Sequence, residues 1–118
     1  MREIKFRGQR QSDNKWIYGD LLQSTEVCDI YEISDCESLD GSRYDVIKNT
    51  IGQYIELKDK NGKEIYEGDI VYIIPEDEYG KVEWHKELAR FVVIYDNIMT
   101  DFDNWYGYDL EVVGTIYD

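Results

Sequence analysis

Two pairs of carboxylates, Glu67 with Asp69 and Asp101 with Asp103, stand two residues apart. On a strand that spacing puts both members on one face. Such a pair can divide general acid from general base, or hold Mg²⁺ through its oxygens. With 26 acidic residues among 118, such spacings also arise by chance, and solvated turn residues are the plainer expectation. Asp69 in particular follows a glycine and precedes an apolar run, a place where an aspartate bonds nearby backbone N–H groups. The one histidine, His85, lies beside Trp84. Nucleophilic catalysis would need a serine or cysteine and an orienting acid around it, and no nucleophile elbow or reactive cysteine context is present. Cys28 and Cys36, eight residues apart, make neither a disulfide framework nor a zinc site. A single bridge between them is left open.

Asp59–Gly62 resembles the start of a calcium loop, but the resemblance fails at the ligands. An EF-hand loop places Gly sixth and a bidentate Glu twelfth. Counted from Asp59, glycine is fourth and Ile70 is twelfth. The glycines are scattered at turns, with no phosphate-cradling loop among them. No cofactor, metal ligand or catalytic residue is expected, and the chain reads as non-enzymatic.

The formal charge is −13 and unevenly placed. Residues 1–15 carry five basic and two acidic groups, a local +3, and residues 16–118 carry −16. No basic residue occurs in 16–42 or in 91–118. Nucleic-acid affinity comes largely from Lys and Arg displacing condensed counterions, so this balance argues against direct DNA or RNA binding. It also keeps a chain with eleven Tyr and three Trp soluble. No run approaches the roughly 18 apolar residues of a membrane span, and the first residues carry no apolar signal core, so a reducing cytoplasm is the expected setting.

Elements must position whatever acts, and here alternation dominates over helical periodicity. Strands are predicted over Glu3–Arg7 (Ile4 and Phe6 inward), Trp16–Leu22 (Trp16 and Tyr18 on one side), Val27–Ile33, Tyr44–Lys48 and Ile51–Leu57. Residues 8–14 read as a turn and 34–43 as a polar loop. Asn61-Gly62 is the sharpest local signal, a type I′ turn joining 53–59 to 63–67. Gly68-Asp69 then redirects the chain into Ile70–Ile74, apolar on both faces and so a central strand, which Pro75 ends. Strands at Lys81–His85, Leu88–Tyr95 and Leu110–Tyr117 follow, with acidic loops at 75–80 and 96–109. A short helix over 97–106 is the alternative there. At 118 residues the chain fits one domain, able to bury roughly two-thirds of its unfolded surface, with subdomains at 1–57 and 64–118 as the finer division. The expected fold is mainly β, short antiparallel strands in a small barrel or sandwich, with an SH3-like barrel in the C-terminal half.

Met1–Arg7, Trp16–Leu22, Ile51–Val71 and Leu110–Asp118 together resemble the YopX family of small phage and prophage proteins, over essentially the whole chain. Two departures stand out. Arg7-Gly8-Gln9 replaces a small residue, an aromatic and an acid, and Ile55-Glu56 replaces Thr-Gly. The lost glycine predicts a firmer strand. The resemblance implies a mainly β fold, a phage origin and a setting in the host cytoplasm. It implies no reaction and no catalytic residues. The recurring positions Gly52, Gly62, Gly68, Asp69 and Gly114, with Asn61, are turn and strand-start positions.

The leading functional expectation is an accessory protein that binds protein, including a second copy of itself. Arg2, Lys5, Arg7, Trp16 and Tyr18 are the candidate interaction residues, and basic strand-one residues docking on an acidic segment such as 96–118 would give a homo-oligomer. One alternative is an acidic decoy whose carboxylates imitate a nucleic-acid backbone and occupy a host DNA-binding protein. The other is a carboxylate- or metal-dependent enzyme.

Overall fold

The computed structural model describes residues 3–23 and 30–118. The chain divides into two compact units, residues 1–54 and 55–118, with the division inside a strand. Cys28 and Arg2 lie outside the described residues, as does the start of the strand expected at Val27.

In the first unit the strands are β1 (Phe6–Gln9), β2 (Trp16–Gln23), β3 (Tyr31–Asp35), β4 (Arg43–Asp45) and the opening residues of β5 (Gly52–Lys58). All pairings are antiparallel, in the order β4-β3-β2-β1-β5. Ile17, Ile33 and Val46 form the buried core, with Phe6, Leu21, Tyr31, Tyr44 and Ile51 packed around it. Trp16 and Tyr18 share one side of β2, as expected. Ile17 is buried, whereas Trp16 and Tyr18 are half-buried on the opposite side. Trp16 sits there because the Arg7 guanidinium lies over its ring, 4.4 Å from the centroid. That arrangement covers the aromatic without placing it in the apolar core. Ile4, expected inside, is 59% exposed, because β1 begins three residues later than predicted and continues to Gln9, into the stretch expected as a turn. A 3₁₀ turn, Lys48–Thr50, leads into β5. The Thr50 hydroxyl donates to the Ile47 carbonyl at 2.7 Å and accepts the Gln9 N–H at 2.9 Å.

In the second unit the rest of β5 pairs with β6 (Glu64–Tyr66). A five-stranded antiparallel sheet then runs β10-β9-β8-β7-β11, from β7 (Asp69–Ile73), β8 (Glu78–His85), β9 (Arg90–Tyr95), β10 (Ile98–Asp101) and β11 (Leu110–Thr115). Its core is Ile65, Val71, Ile73, Val82, Val93, Trp105 and Leu110. Burying each large apolar side chain of this kind stabilises by about 1.5–3 kcal/mol. As expected of an apolar run, β7 is interior, flanked by β8 and β11.

The mainly β class holds, but the barrel does not. Both sheets are open, and β10 and β11 are the two edges of the second. The stretch expected as loop or helix at 97–106 is β10 followed by a 3₁₀ turn at Phe102–Asn104. Residues 78–80, expected as loop, belong to β8. No helix among the described residues is long and apolar enough to cross a membrane.

The hairpin at Asn61-Gly62 forms with a different turn. The Gly62 N–H donates to the Asp59 carbonyl at 3.0 Å, and Gly62 stands at φ +79° while Asn61 does not take positive φ. This is a turn over Asp59–Gly62 followed by a glycine bulge, in place of type I′. The cause is Asp59. Its Oδ1 accepts the N–H groups of Asn61 and Lys63, each at 2.9 Å, which favours the ordinary turn conformation at Asn61. The second surprise lies in β5. Glu56, where a firmer strand was expected, has φ +68°. An L-residue there is held at a cost of about 1–2 kcal/mol, so losing the glycine strains the strand instead of firming it.

Candidate interaction site

Between β10 and β11 the chain makes two short 3₁₀ turns, Phe102–Asn104 and Gly107–Asp109. Asp109 closes the second one reciprocally. Its carboxylate accepts the Tyr106 N–H and its own N–H donates to the Tyr106 carbonyl, both at 3.0 Å. Gly107 packs so closely on the hairpin that a Cβ there would lie 2.1 Å from the Lys58 carbonyl oxygen, a space that only glycine fits. Trp105 anchors the loop from within, 7% exposed and edge-on to Tyr95 with centroids 5.9 Å apart.

This frame holds Tyr106 and Tyr108 stacked, with centroids 5.2 Å apart and rings inclined by 16°, while the two residues are 68% and 66% exposed. Large aromatics held rigid in solvent are the side chains that anchor protein interfaces, since little rotamer freedom is left to lose on binding. A cleft of about 350 Å³ is lined by Ile55, Glu56, Leu57, Phe91, Phe102, Asp103 and Trp105, the residue that precedes Tyr106 in the chain. A second depression, of about 310 Å³, shares Phe91, Phe102 and Asp103 and continues to Arg90 and Asp101, which form an ion pair at 2.9 Å.

Asp59 supports this region from below the surface. Besides its two turn contacts, its Oδ2 accepts the Val112 N–H of β11 at 2.9 Å, so one buried carboxylate joins the hairpin to the strand that leaves the tyrosine loop. Lys60 adds a backbone bond to the Leu110 carbonyl at 2.9 Å.

One member of each carboxylate pair, Asp69 and Asp101, makes a structural contact. Asp69 is fully buried and accepts the Tyr66 N–H at 2.8 Å at the start of β7. Asp101 pairs with Arg90. The His85 Nδ1 accepts the Leu88 N–H at 3.1 Å, closing the turn between β8 and β9. No group of three or more His, Cys, Asp or Glu comes together among the described residues. Aspartates elsewhere follow one pattern. Asp13, Asp35, Asp40 and Asp118 accept the N–H groups of Lys15, Glu37, Ser42 and Thr115 at 2.7–3.1 Å. With Asp59, Asp69 and Asp109, at least seven of the fourteen aspartates are turned onto their own backbone, which removes them from any regular line of outward charge. The side-chain hydrogen bond from Arg10 also holds the Asp13 carboxyl down to about 2.

The residues singled out by sequence are dispersed. Lys5 is half-buried and paired with Glu3 at 3.5 Å, and Arg7 is buried over Trp16. Tyr18 stands opposite Arg7 in the β1–β2 register. Gly52 opens β5 opposite Arg7, and Gly114 follows a register shift in β11. The Gly68 N–H donates to the Val82 carbonyl and its carbonyl accepts the Ile116 N–H, both at 2.9 Å. Among the described residues, Lys5 is half-buried and Arg7 buried, so these two do not form an exposed basic patch. Glu56, Phe91, Phe102, Trp105, Tyr106 and Tyr108 were not singled out. The one available signal was Tyr106-Gly107-Tyr108, an aromatic pair about a glycine in a stretch without basic residues.

The family model described as "YopX protein" matches residues 5–118. No curated protein matches the chain.

Proposed function

The chain belongs to the YopX family, and within that frame we propose that it is a non-enzymatic accessory protein whose second unit binds a protein partner through Tyr106 and Tyr108. The reading includes the phage or prophage origin and the host cytoplasm that the family implies. One observation carries it. Two large aromatics are stacked and two-thirds exposed on a loop fixed by Asp109, Gly107 and Trp105. Exposed tyrosine held in this way has no evident role in stability, and rigid aromatic anchors are what interfaces concentrate their binding energy on. The surrounding stretch, 91–118, has six acidic and no basic residues, so a partner with a basic surface is favoured at encounter.

The test is affinity capture from nuclease-treated host lysate, with the wild-type chain beside the Tyr106→Ala/Tyr108→Ala double variant and the Gly107→Ala variant. The reading expects a protein held by the wild type and lost from the double variant. It expects weaker capture by Gly107→Ala, which keeps both tyrosines but displaces the loop. Identical capture by all three chains would refute it. Self-association is the same surface taking a second copy, and light scattering reads it directly. A dimer that the double variant abolishes supports it, and a monomer at all salt concentrations removes it.

A further inference from the structure

We propose that Asn61 is a site of covalent modification, converted through a succinimide to aspartate and isoaspartate, and that the turn held by Asp59 sets its rate. This goes beyond the protein-binding reading and stands without it. The backbone nitrogen of Gly62 attacks the side-chain carbonyl carbon of Asn61. The new N–C bond closes the imide ring, and the side-chain nitrogen leaves as ammonia with the proton that the amide sheds. Water then opens the ring at either carbonyl, so the balance needs no oxidant, reductant or second substrate. A side chain on the attacking residue hinders the approach, and glycine has none. The five asparagines are followed by Lys15, Thr50, Gly62, Ile98 and Trp105, so Asn61 alone meets that condition. Asn61 and Gly62 are both exposed, and no atom lies within 4 Å of the place a Gly62 Cβ would take, so nothing packs over the reacting pair. Lys60 and Lys63 flank it, and positive charge favours the amide anion that attacks.

The fold holds both reacting groups. The nucleophile is occupied, because the Gly62 N–H donates to the Asp59 carbonyl at 3.0 Å. The leaving group is occupied as well, because the Asn61 Nδ2 donates to the Glu111 Oε2 at 3.4 Å. Asp59 Oδ1 pins the amides on either side, those of Asn61 and Lys63, at 2.9 Å. The reaction therefore runs from the opened turn, and an exposed hairpin tip opens locally at far less cost than the whole unit. The product does not return to the starting geometry. A carboxylate replaces the amide donor beside Glu111, where like charges repel, and isoaspartate adds a methylene to the main chain between the two amides that Asp59 holds.

The experiment incubates the full chain in neutral buffer at physiological temperature, folded and in urea, and maps peptides by mass with isoaspartate detection. The mass change of amide to acid separates this site from isomerisation at Asp40-Gly41, which leaves mass unaltered. The folded chain should convert at residue 61 ahead of the other four asparagines, and the denatured chain about tenfold faster or more, as the turn no longer protects it. Asp59→Ala should speed conversion of the chain in native buffer, and Gly62→Ala should slow it in urea, where folding of the variant does not matter. Converted chain, separated by anion exchange, should lose hydrogen-exchange protection at Lys63. An Asn61 that stays intact in the folded chain after the denatured chain has converted would overturn the proposal. So would faster conversion at another asparagine, or equal rates in the wild type and Asp59→Ala.

Discussion

The two units solve the same problem, covering a small β-sheet, with opposite charges. In the first, cations lie on aromatic rings: Arg7 over Trp16 at 4.4 Å, Arg10 over Tyr44 at 4.9 Å and Lys48 over Tyr31 at 5.6 Å. Its fully apolar core is three residues. In the second, seven residues form the core, and the charges drawn inside are carboxylates, Asp59 and Asp69, each bonded to backbone N–H groups. A cation over a ring adds cover for a thin core and fixes little backbone. A buried carboxylate bonds backbone amides directly, three of them at Asp59 and that of Tyr66 at Asp69, and so holds turns in place. The unit that carries the proposed binding loop is the one with buried carboxylates.

The sharpest way to break that contrast is Asp59→Ala. It strands three backbone N–H groups in a buried or half-buried setting, and the second unit should lose about 3 kcal/mol. Protection of the Asn61, Lys63 and Val112 amides from hydrogen exchange should collapse in the variant. Retained protection would mean that the carboxylate is incidental to the turn. In the first unit Arg7→Met keeps the buried stem and removes the charge over Trp16. The expected loss is smaller, about 1–2 kcal/mol in urea denaturation, and a loss as large as that of Asp59→Ala would erase the distinction between the units. The smallest effects are a pair of opposite sign within one hairpin. Gly62→Val should destabilise by upwards of about 1 kcal/mol, because a β-branched side chain resists φ +79°. Glu56→Gly should stabilise by about 1 kcal/mol as the left-handed strain is relieved. Thermal melts read both, and two shifts of the same sign would contradict the turn and strain assignments together.

What the sequence made legible was local. The apolar run after Asp69 is an interior strand because nothing but a buried position suits it, and the chain does turn at Asn61-Gly62. The turn type was hidden because a side chain two residues earlier, Asp59, decides it, and dipeptide preference does not include that contact. That Trp16 and Tyr18 share a side of β2 was legible, but that Ile17 is the buried residue was not, because what covers Trp16 lies on another strand. Here an arginine on the neighbouring strand supplies its cover. Strand β10 escaped because Ile98–Asp101 shows no clean alternation, and its pairing with β9 is a tertiary fact. The cleft was illegible for the same reason. Glu56, Phe91 and Trp105 are far apart in the chain, and β5, β9 and the loop before β11 bring them together.

The central claim is that the tyrosine loop is built before any partner arrives, and hydrogen exchange of the free chain tests it most directly. The account predicts that the Trp105, Tyr106 and Asp109 amides, which donate to Phe102, Asp109 and Tyr106 at 3.0–3.2 Å, are protected in the absence of ligand, as is Val112 on Asp59. Exchange of the 102–109 amides at unstructured rates would contradict it, because the stacked tyrosines would then be one conformation among many and not a prepared surface.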